Sequence, residues 1–356
     1  MFKRYLRRFS KDLGIDLGTS NTLVYCRDKG IMVNEPSVVA LNTRTGQIVA
    51  VGHSAKDMIG KTPSHISTVK PLVSGIISDF EVTEKMLKYF IERIHRDGFF
   101  FLPRPRVVVS VPLDLTEVER KAVEDAALNA GAREVFLVEE PMAAAIGSRL
   151  PITEPVGNMI VDIGGGMTEI AVISLGGVVT WKSLRVAGDE MNKNIVKYAR
   201  ETFNLLLGER VAENIKIRIG TAAEPEEPLE MEMRGRDMIS GLPKEIIVGD
   251  AQIRQALARS VKTIVESIKT ALEVTPPELV ADIYERGIVM TGGGSLLRGL
   301  DEVVSRATEI PVRITDDPLT CVVRGTGILL ENEDLLQTVA LPSSQETRKE
   351  NLAAFK

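Results

Sequence analysis

Gly14-Ile15-Asp16-Leu17-Gly18-Thr19-Ser20-Asn21 is echoed in the second half of the chain by Val161-Asp162-Ile163-Gly164-Gly165-Gly166-Met167-Thr168. Each stretch reads as an apolar strand carrying one Asp, then a tight Gly-containing turn with hydroxyl or amide side chains, then a second apolar strand (residues 22–26 and 169–174). Turn glycines let backbone N–H groups approach an anion, and an Asp beside them can hold Mg²⁺ through waters. One such hairpin is ordinary, because Asp and Gly mark many turns. Two copies at half-chain spacing imply a duplicated fold that closes two phosphate loops on one nucleotide.

A chain of 356 residues is too long for one small core, so two domains or halves are expected. With 44% hydrophobic and 26% charged residues the composition is that of a globular protein, and a net charge of −5 makes no case for nucleic acid. No run approaches the roughly 18 apolar residues of a membrane span, and no signal peptide follows the start. Cys26 and Cys321 stand alone in apolar stretches without metal-ligand spacing, as expected of reduced core residues in a cytosolic protein.

The amino terminus departs from this average. Lys3, Arg4, Arg7, Arg8 and Lys11 occur there with no acidic side chain. On a helix Phe2, Tyr5, Leu6 and Phe9 form one apolar arc, with Leu13 continuing it and the basic residues opposite. Residues 1–13 therefore read as an amphipathic segment lying in an anionic membrane surface, the competing reading being a helix packed on its own domain. Phe99-Phe100-Phe101-Leu102 reads as a second membrane-inserting element, against a plug for the core.

Periodicity predicts a hairpin over 38–41 and 48–51, a helix over 82–96 with Asp79 as its N-cap, a buried strand over 107–111, a helix over 116–130 and a strand over 135–138. Residues 155–157 read as a hinge. Residues 189–216 are expected to be helical, 220–249 loop-like with short strands, and 250–274 helical up to Pro276-Pro277. A strand over 287–290, a helix over 296–307, a last helix from Pro318 to about Asn332 and a disordered tail over 341–356 complete the reading. Residues 55–62 fit a permissive P-loop pattern, which is rejected because only Gly60 supplies flexibility and Pro63 spoils the helix that should follow. Three histidines support no nucleophilic triad. Gly292-Gly293-Gly294-Ser295 after a strand resembles a turn on which a flat adenosine ring can lie. Glu209, Glu213 and Lys216 share one helical face, which could hold a ribose and adenine edge or be a solvated ion-pair face.

Five elements in this order resemble the actin–Hsp70–sugar-kinase superfamily: residues 16–21, 137–147, 161–168, 208–216 and 287–296. More closely, the chain resembles bacterial actins of the MreB type over nearly its full length. The match rests on residues 15–22, Asn34-Glu35-Pro36-Ser37-Val38-Val39-Ala40, Glu140-Pro141-Met142-Ala143-Ala144-Ala145-Ile146-Gly147, residues 162–166 and Gly208-Glu209-Arg210. The resemblance implies an α/β, actin-like ATPase fold: two related RNase H-like halves with a nucleotide cleft between them, each carrying a small inserted subdomain. Half I would be 14–156 with 318–340 (insert about 34–68), and half II would be 157–317 (insert about 189–249).

The same resemblance implies ATP and Mg²⁺, with Asp16 and Asp162 holding the metal's waters. Gly18, Thr19, Ser20 and Asn21 would cradle phosphate together with Gly164, Gly165 and Gly166, and Glu140 and Thr168 would serve hydrolysis. For Glu140 a plain role as helix N-cap fits the same geometry. The family usually carries two threonines after the third glycine, whereas here Met167 precedes Thr168. A thioether donates no hydrogen bond, so slower hydrolysis is expected. The implied function is a slow, filament-forming ATPase at the cytoplasmic face of the membrane that imposes rod shape. Its partners would be further copies of itself, anionic lipid and membrane proteins of the elongation machinery. The rivals are a plasmid- or organelle-positioning actin and a small-molecule kinase. A chaperone is disfavoured, because residues beyond about 332 are too few for a peptide-binding domain.

Overall fold

The computed structural model describes residues 11–95 and 104–342, and of His95 only the backbone. Phe2, Tyr5, Leu6 and Phe9, the loop from Phe99 to Leu102, and the tail beyond Pro342 lie outside the described residues. The chain divides into two compact units, Met1–Glu154 with Thr320–Lys356, and Pro155–Leu319.

The first unit is built on β1 (Leu13–Leu17), β2 (Asn21–Cys26) and β3 (Gly30–Pro36). A small sheet follows, from β4 (Val39–Asn42), β5 (Ile48–Val51) and β6 (Ile66–Val69), with α1 (His53–Met58) between the last two. After the short pair β7 (Leu72–Val73) and β8 (Ile76–Ile77) come α2 (Phe80–His95), β9 (Arg106–Val111), α3 (Glu117–Asn129), β10 (Glu134–Glu139) and α4 (Glu140–Gly147). The main sheet has the order β10-β9-β1-β2-β3. Its hairpin strands are antiparallel, and β9 runs parallel to both β1 and β10. All six residues of β9 are buried, the pattern of a strand covered on both faces. Asp79 caps α2 by accepting the Val82 N–H at 3.0 Å, and the apolar stripe Val82, Met86, Phe90 and Ile94 enters the core. Thr116 and Glu119 close a capping box at the start of α3.

The second unit repeats the plan. It contains β11 (Asn158–Ile163), β12 (Thr168–Ser174), β13 (Gly177–Leu184), α5 (Gly188–Phe203), β14 (Leu205–Leu206), α6 (Glu209–Ile219), β15 (Glu230–Asp237) and β16 (Pro243–Gly249). It continues with α7 (Asp250–Glu273), α8 (Pro277–Arg286), β17 (Ile288–Thr291), a 3₁₀ turn over Gly293–Leu296, α9 (Leu300–Thr308) and β18 (Val312–Ile314). The sheet order is β13-β12-β11-β17-β18, with an antiparallel triple followed by two parallel strands as in the first unit. The chain then returns to the first unit through α10 (Cys321–Glu331) and α11 (Glu333–Val339).

Several expectations needed correction. The helix expected over 189–216 is interrupted at Asn204, which takes a left-handed φ of 52° and caps α5 before β14. The acidic stretch after it holds strands of 8 and 7 residues, β15 and β16, paired as a hairpin. The helix over 250–273 ends before Pro276-Pro277 as expected, and Pro277 then opens a further helix, α8, because a proline in the first turn forfeits no helical hydrogen bond. The helix expected from 296 starts at Leu300, behind Gly299 in a left-handed conformation. The helix expected to reach about Asn332 ends there, but it is not the last, because Asn332 also caps α11, accepting the Leu335 N–H at 3.1 Å. In the rejected P-loop, α1 precedes Gly60, the reverse of the order a phosphate loop needs.

In the first unit α10 meets α4 backbone to backbone. A Cβ on Gly147 would overlap the Cys321 carbonyl oxygen, and one on Gly325 would overlap that of Ala143. Cys321 adds an Sγ–H donation to the Ala144 carbonyl at 3.2 Å, and both cysteines of the chain are buried and in no disulfide. Gly325→Ala should therefore lower unfolding stability by about 3 kcal/mol or more, because two helices would have to separate. Gly208→Ala, where a Cβ meets nothing within 4 Å, should change it by less than about 1 kcal/mol. Urea unfolding of the two variants makes the comparison.

Candidate functional site

In both units the candidate residues gather at the carboxyl ends of parallel strands, the place where open α/β sheets bind ligands. In the first unit Asp16 lies beside Ser110 of β9, which lies beside Val138 of β10, and Glu140 follows two residues later. Glu140 is the first residue of α4. The N-cap is Glu139, whose side chain makes no capping bond, so the capping role expected of Glu140 is not what this structure gives it. Glu139 is itself half-buried, and burial pushes its carboxyl above the ordinary range while Arg120 pulls it back.

The first turn is heavily braced. The Ser37 hydroxyl donates to the Gly18 carbonyl at 2.6 Å and lies 2.9 Å from the Thr22 hydroxyl, and the Ser37 N–H donates to the Ser20 carbonyl at 2.9 Å. Thr19 is buried and its Oγ1 accepts the Gly75 N–H at 2.7 Å. Asn21 donates from Nδ2 to Asn34 at 3.2 Å, while Ser20 is exposed. Thr19 and Asn21, both read as phosphate contacts, thus spend side-chain bonds on holding the turn's shape. Sequence reasoning had Ser37 only as part of a family motif and missed Gly75 altogether, because neither lies near the turn in the chain.

In the second unit Asp162 pairs in register with Thr291 of β17, so the turn after β17 falls beside the turn after β11. Gly292 has φ +79°, and a Cβ there would overlap Asp162 Oδ1 and the Ile163 carbonyl oxygen. Gly292 and Gly294 therefore lie against the end of β11 as only glycines can, with Gly293 between them. Ser295 is fully buried and donates to the Gly292 carbonyl at 2.7 Å, a brace of its own turn. Gly164 closes the β11–β12 turn through its N–H to the Met167 carbonyl at 2.9 Å. The N–H groups of Gly188 and Asp189, opening α5, donate to the Gly164 and Gly165 carbonyls at 3.2 and 2.7 Å. Lys216 reaches the same corner, donating to the Gly188 carbonyl at 2.8 Å, and Gly166 completes the turn. Glu209 opens α6 and Glu213 lies one turn on, with Glu209 exposed and Glu213 half-buried.

Thr168 follows the same turn. It is fully buried at the start of β12 and its hydroxyl donates to the carbonyl of Val186, just beyond β13, at 2.7 Å. Met167 is also buried. No group of three or more His, Cys, Asp or Glu among the described residues could chelate a metal, and no described helix is long and apolar enough to cross a membrane.

Two copies of one five-stranded plan, each with an Asp and a glycine turn at the carboxyl edge of its central strand, define an actin-like protein. The model of the MreB/Mbl protein family matches residues 10–338, and the chain belongs to that family. The cell shape-determining protein MreB of Escherichia coli K12 is 50% identical over 339 residues, 94% of this chain and 97% of that protein. The crystal structure of Spiroplasma citri MreB5 bound to ADP superposes with a TM-score of 0.86 at 37% identity, covering 92% of this chain and 97% of that one. The double helical filament of MamK gives 0.76 at 26% identity, covering 90% and 98%.

Asp162 yields a prediction. Burial alone pushes its carboxyl up to about 6 from an ordinary 3.8. A raised folded-state value means that stability is greatest while the acid is neutral and falls as pH climbs from about 4 through 6. Asp162→Asn should therefore stabilise the nucleotide-free protein at pH 7.5 by up to about 3 kcal/mol, with a much smaller gain near pH 4. Urea unfolding at the two pH values tests the sign.

Proposed function

We propose that this chain is an ATP-dependent, membrane-associated actin-like filament protein that determines rod cell shape by organising cell-wall synthesis. The observation that carries the reading is the duplicated carboxylate-and-glycine turn at the carboxyl edge of each sheet, in a chain half identical to a cell shape-determining protein. A relative bound to ADP supports nucleotide as the ligand, and a relative in a double helical filament supports self-assembly.

In this reading the turns over Gly18 to Asn21 and Gly164 to Gly166 cradle the phosphates, with Gly165 and Gly166 offering their backbone N–H groups while that of Gly164 closes the turn. Asp16 and Asp162, one carboxylate from each turn, suit a Mg²⁺ that keeps most of its waters. The buried, unwillingly ionised Asp162 gains most from a cation nearby, which compensates its lost hydration. Gly292 to Gly294 carry the base, and Glu209, Glu213 and Lys216 lie along its ribose edge. Glu140 orients the water that attacks the γ-phosphate, at a slow rate because Met167 offers no donor. Residues 1–13 and 99–102 hold the filament to an anionic membrane surface, where many weak contacts add by avidity. Membrane proteins of the elongation machinery then meet it at the inner face of the cell membrane.

Pelleting and electron microscopy of the purified protein with ATP, with ADP and with anionic vesicles test the whole reading. Nucleotide-dependent filaments that coat the vesicles are expected. A monomer that binds ATP and never assembles would overturn it in favour of a small-molecule kinase. Glu140→Ala should slow phosphate release by about tenfold or more and spare ADP affinity, while Met167→Thr should speed it. Stopped-flow phosphate detection reads both.

A further inference from the structure

Glu139 is the last residue of β10 and Glu140 the first of α4, so strand and helix join with no residue between them. Glu139 pairs in register with Val111 of β9, two residues beyond Leu137, whose side chain enters the core shared with α2 and α3. Alternation along the strand gives Glu139 that same face, where α3 packs on β10. Burial disfavours the charge of its carboxyl, and the charged neighbour that favours it is Arg120 of α3. The hydrolysis described above gives this carboxyl no part.

Arg120 is held from its own side. It follows the capping box of Thr116 and Glu119 in the first turn of α3, and its N–H donates to the Thr116 carbonyl at 2.9 Å. Its Nε is buried and meets no acceptor among the described residues. Glu139, at the N-cap of α4, makes no side-chain bond to that helix. Two opposite charges partly withdrawn from water, with these bonds unmade, are costly to fold and attract one another strongly. An apolar pair would pack there at less cost, so the charges at the root of Glu140 call for a function.

We propose that Arg120 and Glu139 are positioning residues for hydrolysis: Arg120 holds the Glu139 carboxylate, and the strand–helix junction so fixed sets the direction in which Glu140 meets the attacking water. Both act through Glu140. This rests on the water-orienting role of Glu140 and adds to it the pair that aims it. A displacement of about 1 Å at a reacting group costs on the order of a hundredfold in rate, so even a partial slackening of the junction is measurable.

Single-turnover phosphate release and ATP affinity of the full-length protein and its variants test the pair, with the melting temperature as a check on folding. Arg120→Met is expected to slow release about tenfold while ATP affinity and melting temperature stay close to those of the parent. Arg120→Lys, which keeps the charge, should recover most of the rate. Glu139→Gln should slow release to a similar degree, and being isosteric it decides the matter alone if Arg120→Met melts early. The double variant should be no slower than either single one, because the two side chains act as a unit. Unchanged release in Arg120→Met and Glu139→Gln, where Glu140→Ala slows it, would overturn the pair and leave the role of Glu140 intact. Additive losses in the double variant, or a loss of affinity equal to the loss of rate, would overturn it as well. Unchanged release in Glu140→Ala would remove the water-orienting role and the pair with it.

Discussion

The first unit depends on one short contact, the crossing of α4 and α10 at backbone distance. Gly147, Ala143 and Ala144 on one helix face Cys321 and Gly325 on the other, with the Cys321 thiol donating to the Ala144 carbonyl in the contact. The next residues of α10 support the sheet: Thr326 lies where a Cβ on Gly14 would fall, and Gly327 rests on the Tyr25 ring. Strands β1 and β2, which carry the first glycine turn between them, are therefore seated on a helix that arrives from the far end of the chain. Dispersion contacts of this kind are individually small, and their sum falls steeply with any gap. The spacing of these helices sets the height of β1 and with it the position of Asp16.

The turns themselves are rigid by construction. Ser37, Gly75, Asn34, Gly188 and Ser295 each devote a hydrogen bond to holding a loop. Shape is thus set before any ligand arrives, which lowers the ordering cost of binding. Asp162 lies at the other extreme, a carboxylate held away from water. Rigid loops around one destabilised charge are the arrangement in which a cation has most to offer.

Much of the fold was legible in the sequence, because its strongest features are periodic. The buried run of β9, the stripe of α2 and the two Asp–Gly hairpins announce themselves in residue type alone. What escaped was set by single residues. Asn204 ends a helix whose apolar pattern runs on through 216, because a left-handed cap needs only one tolerant residue. Pro277 begins a further helix that the stop before it, borne out at Glu273, did not announce. At the site, Asp16, Asp162 and the glycines could be named from their motif, whereas the burial of Thr168 could not. Its hydroxyl finds Val186 only because β13 folds back along β12. Ser37 and Gly75 escaped for the same reason, since a brace distant in sequence leaves no local trace.

The return of the chain to its first unit at Thr320 has a consequence for how the protein is made. Synthesis runs from the amino terminus, so β1, β2, β9 and α4 leave the ribosome long before α10 exists to cover them. The second unit, a continuous segment from Pro155 to Leu319, can close on itself while they wait. At about 5–20 residues per second that wait is on the order of ten seconds or more. Through that interval the nascent chain carries an uncovered apolar sheet, and the order of translation makes the second unit the natural first to fold.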